Sequence, residues 1–198
     1  MFYNIFYNIL QFLHLISFVF MSVPLFNLII VNERALLGTA FVYSADRYME
    51  NIIRRGAVRC FVFQASVLIT GVLLLIFGPL GIEALWQSWV LLTKTALLFT
   101  LMGLLSYVHF SLQPKIEALL ANLGADSPVP EGLMGRLKPY RIRRKKLATF
   151  CLFLVITTII LGLQVYGTFH PLLNIALIIL AGLFALRANK TLVRFGWF

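Results

Sequence analysis

The stretch from Gln11 to Asn27, QFLHLISFVFMSVPLFN, places one titratable side chain, His14, among residues otherwise suited to hydrocarbon. An imidazole in a bilayer is costly, and a helix that carries one usually turns it toward a partner inside the bundle. Asn4, Tyr7, Gln11, His14 and Ser17 recur every three or four positions, which predicts one polar face on a helix that is elsewhere Phe, Ile, Leu and Val. Three more polar groups, Lys94, Gln164 and His170, fall near the same end of their own apolar blocks. At about 1.5 Å per residue, His14 is expected on the order of 8 Å and Lys94 on the order of 12 Å below the outer surface. An apolar bundle holding His14, His170 and Lys94 suits a b-type haem, with imidazole on the iron and a cation near a propionate. Such a haem needs no covalent attachment motif. Each residue also has a plainer reading: His14 as a hydrogen bond between helices, His170 as a wet loop residue before Pro171, Lys94 as a side chain snorkelling to the headgroups. Two axial ligands must sit at similar depth, so the offset between His14 and His170 leaves a single protein ligand as the alternative. His109, beside Tyr107 and Lys115, is expected at the opposite interface.

The elements that must position these groups are membrane spans. Hydrophobic residues make up 61% of the 198 and charged residues 12%, and the apolar residues come in long blocks. Hydrocarbon about 30 Å thick takes roughly 20 apolar residues of helix. Five blocks answer to that, at 6–30, 60–80, 85–110, 147–166 and 171–187, in a single membrane domain. The expected fold is an all-α, polytopic integral membrane bundle of five transmembrane helices. Phe2, Tyr3, Phe6 and Tyr7 form an aromatic belt, and Pro24 is expected to kink the first helix. Ala65, Ser66, Gly71 and Gly78 allow close helix approach in the second. The connection 32–59 suits an interfacial amphipathic helix or an ordinary solvated segment. The connection 113–146 reads as flexible around PVPEG, ending in the run Arg141, Arg143, Arg144, Lys145, Lys146, which sets orientation or meets anionic headgroups.

The net charge of +10 points to topology rather than nucleic acid. Of 17 Lys and Arg, five lie between Arg34 and Arg59, eight between Lys115 and Lys146 and three from Arg187 onward, and the connections around Glu83 and Thr168 carry none. This alternation places the N-terminus outside and the C-terminus inside, in the cytoplasmic (inner) membrane. The N-terminus lacks the positive region of a cleavable signal, so the first block is expected to be retained. All seven acids fall in connecting segments, which argues against a carboxylate proton relay. Cys60 and Cys151 form no c-type haem, zinc or iron-sulfur motif and are expected to pack.

Leu13-His14-Leu15-Ile16 near the outer start of the first helix, Trp89 opening a helix that carries Lys94 a turn later, and the exit Gln113-Pro114-Lys115 resemble a family of small membrane proteins. That family includes the copper-resistance D proteins and the HemJ-type protoporphyrinogen oxidases. The resemblance implies a bundle of four or more spans, haem b in some members with the first-helix histidine as ligand, and a role in redox or metal handling. It assigns His14 to the ligand and Lys94 to the site. The expected function is haem b binding and electron transfer, as one subunit of a redox complex with other membrane subunits as partners. The alternatives are a cofactor-free structural or assembly subunit and a quinone-linked or porphyrinogen-oxidising enzyme.

Overall fold

Long runs of Leu, Ile, Val and Phe form helices that carry the apolar stretches almost end to end. The computed structural model describes residues 2–32, 43–121, 123, 130–165, 167 and 169–190, with side chains described from Ile5 onward. Its elements are α1 (Phe2–Asn32), α2 (Tyr43–Phe77), the short α3 (Ala84–Gln87), α4 (Trp89–Tyr107), a π-helical turn (Val108–Leu112), α5 (Gln113–Leu120), α6 (Leu133–Leu163) and α7 (Pro171–Lys190). The described residues contain no strand, and five of the helical stretches are long and apolar enough to cross a membrane. The side chains of Phe2, Tyr3 and Asn4, and the whole segment 33–42 between α1 and α2, lie outside what is described.

Two expectations about the connections need correction. Residues 43–59 are neither a separate interfacial helix nor a solvated loop, because α2 runs unbroken for 35 residues. At about 1.5 Å per residue this is roughly 50 Å of helix, some 20 Å more than the hydrocarbon needs. Likewise α6 starts at Leu133 rather than 147, so the basic run from Arg141 to Lys146 is helical. Helical period then splits the run: Arg141, Arg144 and Lys145 are buried, whereas Arg143 and Lys146 are exposed. These overhangs bury a small core of their own, in which Ile116, Leu120, Leu133 and Leu137 pack with Tyr43 against them.

The central helix is α6. It packs on α1, α4, α5 and α7, and 56% of its most apolar stretch is buried, against 17% for α7. The main core lies between α1, α2, α4 and α6, with Met21, Cys60, Leu101, Cys151 and Val155 at its centre. Both cysteines therefore pack, as their positions suggested. Helix α1 continues through Pro24, which packs beside Gly56 of α2, where a Cβ would lie in ordinary contact 3.6 Å from Pro24 Cβ. A second close approach occurs at Gly78, where a Cβ would meet the Tyr7 ring at 3.0 Å.

The π-helical turn has a local cause. Pro114 has no N–H to give, and its ring collides with the carbonyl four residues back in a regular helix. The chain widens by one residue per turn just before it, and the Gln113 N–H bonds Val108 O instead. Such insertions re-aim the side chains around them. Here they are His109 and Gln113.

Candidate functional site

His14 is half-buried on α1 and faces α2, where Nδ1 lies 2.9 Å from Thr70 Oγ1. The Thr70 hydroxyl has one proton, and it donates this to Ser66 O at 2.6 Å. Its lone pair is then what meets His14, so Nδ1 carries the imidazole proton, and the ring also hydrogen-bonds the Val67 backbone on α2. Gly71 supplies the space, since a Cβ there would stand 3.2 Å from His14 Cε1. Lys94 comes to the same end of the bundle from α4. Its Nζ would be 3.4 Å from a Cβ on Gly162 of α6, and the ammonium is close enough to act electrostatically on the His14 ring. Gly71 thus leaves space the His14 ring needs, whereas a Cβ on Gly162 would make only ordinary contact with the end of Lys94.

The remaining predicted residues are at this end but are used differently. Gln164 is buried and donates its amide to Ile160 O at 3.3 Å and Asn174 Oδ1 at 3.0 Å, pinning the corner between α6 and α7. His170 is exposed at the start of α7, where Nδ1 accepts the Leu172 N–H at 3.4 Å. Neither hydrogen-bonds His14 or Lys94. The polar groups of this end that face the bundle interior are therefore one imidazole and one cationic side chain, with His170 on the exposed start of α7. Among the described residues there is no group of three or more His, Cys, Asp and Glu that could hold a metal ion.

The densest polar arrangement lies at the opposite end of the helices, among residues that the sequence places in connections. Arg144 of α6 is fully buried and reaches three other helices. Its Nη1 and Nη2 donate to the two carboxylate oxygens of Glu50 on α2 at 2.8 and 3.0 Å. Nη2 and Nε donate to Asn32 Oδ1 on α1 at 2.8 and 3.2 Å, and Nη1 also donates to Gln113 Oε1 on α5 at 2.5 Å. Gln113 uses its other end too, donating through Nε2 to Glu50 at 3.2 Å and Glu117 at 3.3 Å. Next to this fork, Arg141 Nη2 lies 2.5 Å from Asp46 Oδ2 and 3.3 Å from Glu50 Oε1. Two cations face two anions, which makes the burial tolerable. Asn32 also closes the end of α1 by donating to Leu28 O at 2.7 Å.

This overturns the placement of all acids in connecting segments. Asp46 and Glu50 lie on the buried stripe of α2, which continues through Ile53, Ala57, Cys60, Gln64, Val67 and Thr70. That unbroken spacing of three and four was the available signal; the charges on it had suggested a boundary instead. His109 stands on the π-helical turn at this end. It is half-buried, edge-on to Phe61 at 5.8 Å, and its Nδ1 is buried without a hydrogen bond among the described residues.

Among the described residues, fold and site define an all-helical arrangement with five helices fit to cross a membrane, His14 and Lys94 at one end and a buried ion cluster at the other. Set against known proteins, the chain matches no family model, no curated protein and no solved structure.

Proposed function

We propose that the protein is a multi-pass inner-membrane protein that binds haem b near the outer end of the bundle and passes electrons as one subunit of a redox complex. The observation that carries this reading is the His14–Thr70 hydrogen bond, because it presets the tautomer and orientation that a ligating imidazole needs. Haem, when bound, supplies one-electron chemistry. The chain's own part is to hold the imidazole through Thr70, to leave room for it at Gly71, and to set the Lys94 cation beside Gly162 as counter-charge to a propionate. An N-terminus outside and C-terminus inside agrees with the exposed cations Arg54, Arg55, Arg59, Lys138, Arg143 and Lys146, all at the end that carries the ion cluster.

The test is a reduced-minus-oxidised optical spectrum of the purified protein with a pyridine haemochrome assay. About one b-type haem per chain, lost in His14→Ala and kept in His170→Ala, is the expected result. A folded protein without haem overturns the reading. A cofactor-free assembly subunit is the second reading, favoured by the thinly covered α7, and it would show as altered complex assembly on substitution of α7 surface residues.

A further inference from the structure

The basic run of α6 is divided by helical period into cations that face the cluster and cations that face outward. Arg141 and Arg144 are buried against Asp46 and Glu50, whereas Arg143 and Lys146 are exposed, and neither is paired with an acid among the described residues. Arg143 has a partner of another kind. Its guanidinium lies over the Tyr107 ring of α4, 5.4 Å from the centroid. An aromatic face attracts the guanidinium charge but offers no oxygen to its N–H groups, which remain available to an anion.

Depth gives these groups a place in the bilayer. At ~1.5 Å per residue, Lys146 and Arg143 stand about 26 and 30 Å along α6 from Leu163, and Tyr107 about 27 Å along α4 from Trp89. Leu163 and Trp89 are exposed at the other end, and hydrocarbon is about 30 Å thick. The two cations and the ring therefore fall where the phosphates begin. One turn deeper the surface is apolar. Phe150 follows Lys146 on α6 and is 47% exposed, and Gly103, which precedes Tyr107 on α4, is exposed with nothing within 4 Å of where a Cβ would stand.

We propose that Arg143, Lys146 and Tyr107 form a seat for one anionic phospholipid, with its phosphate on the two cations and an acyl chain lying along α4 and α6 past Gly103 and Phe150. Charge complementarity selects the headgroup, because two exposed cations without acids favour a net negative charge over a zwitterion. The apolar surface directly beneath selects a lipid over a soluble anion. Any exposed Lys or Arg at a membrane surface attracts anionic lipid diffusely. What distinguishes this place is a guanidinium held by a ring where two helices meet.

The experiment is native mass spectrometry of the full chain, purified in detergent and titrated with phosphatidylglycerol or with phosphatidylcholine of the same acyl chains. One phosphatidylglycerol is expected to bind in preference to phosphatidylcholine. Lys146→Gln should weaken it about fivefold, and Arg143→Gln with Lys146→Gln on the order of 25-fold. Lys138→Gln and Arg55→Gln remove exposed cations elsewhere at this end and should leave binding close to wild type. Tyr107→Leu keeps every charge and should still weaken binding several-fold, a loss that diffuse attraction does not produce, while Tyr107→Phe keeps the ring and should bind as wild type. Equal uptake of the two lipids, equal losses from all the cation substitutions, or displacement of the lipid by excess inorganic phosphate would each overturn the seat.

Discussion

His14 is held by the Thr70 hydroxyl and by the Val67 backbone beside it. Thr70 donates to Ser66 O and so can only accept from His14 Nδ1. Thr70→Val keeps the shape and removes the acceptor. Partners that orient a metal-ligating histidine are worth about 10–100-fold in affinity, so haem titration of Thr70→Val should show weakening in that range. Thr70→Ser should bind close to wild type. Equal binding by Thr70→Val would mean that the hydroxyl does not set the ligand. At the other end the decisive residue is Glu50, whose two oxygens take both arms of the Arg144 fork. Removing one member of a buried ion pair costs about 3–5 kcal/mol because the other charge is left unpaired. Glu50→Leu should therefore lower thermal stability strongly, and Glu50→Leu with Arg144→Met should recover much of the loss. A double variant no better than the single would show that packing, not charge, holds this end together.

Among the elements, the π-helical turn determines whether the cluster closes. It widens the helix before Pro114 and sets Gln113 against Arg144 and Glu50. Pro114→Ala restores a backbone donor and improves helix propensity, which by itself stabilises a helix by about 3 kcal/mol. The expected outcome here is the reverse: a regular turn rotates Gln113 off its three partners, and thermal unfolding should occur at lower temperature. A stabilised variant would show that the turn is merely tolerated. Nothing in a single sequence distinguishes these outcomes, and this explains what was legible and what was not. The five apolar blocks and the His14–Lys94 pair could be read, because hydrocarbon length and the cost of an intramembrane charge are local properties. The overhangs of α2 and α6 could not be read by the same rule. Charges at Asp46, Glu50, Arg141 and Arg144 look like the edge of a membrane until they are seen to neutralise one another across helices. His170 and Gln164 failed to join the pair because their polar atoms have nearer partners in Leu172, Ile160 and Asn174.

At the scale of the whole molecule, burial sorts the charges. Asp46 and Glu50 are withdrawn into the cluster with Arg141 and Arg144, so the surface at that end is left with Arg54, Arg55, Arg59, Lys115, Arg136, Lys138, Arg143 and Lys146 as exposed cations. Lys and Arg bias near the ends of spans sets orientation, and acids counter it little. The overhanging helices are long enough to carry part of this charge beyond the hydrocarbon. Lys138 stands about 36 Å along α6 from Gly162 at ~1.5 Å per residue, more than the hydrocarbon thickness of about 30 Å. Orientation can then be read with one reactive residue at each end. The native Cys60 and Cys151 are buried and should stay silent to a membrane-impermeant maleimide. Lys138→Cys should be labelled in inverted membrane vesicles and protected in intact cells, and Glu83→Cys, in the turn between α2 and α4, should show the opposite pattern. Labelling of Lys138→Cys from outside would reverse the topology and put the histidine-lysine pair on the cytoplasmic side. The proposed electron transfer would then have to draw its partner from that side of the membrane.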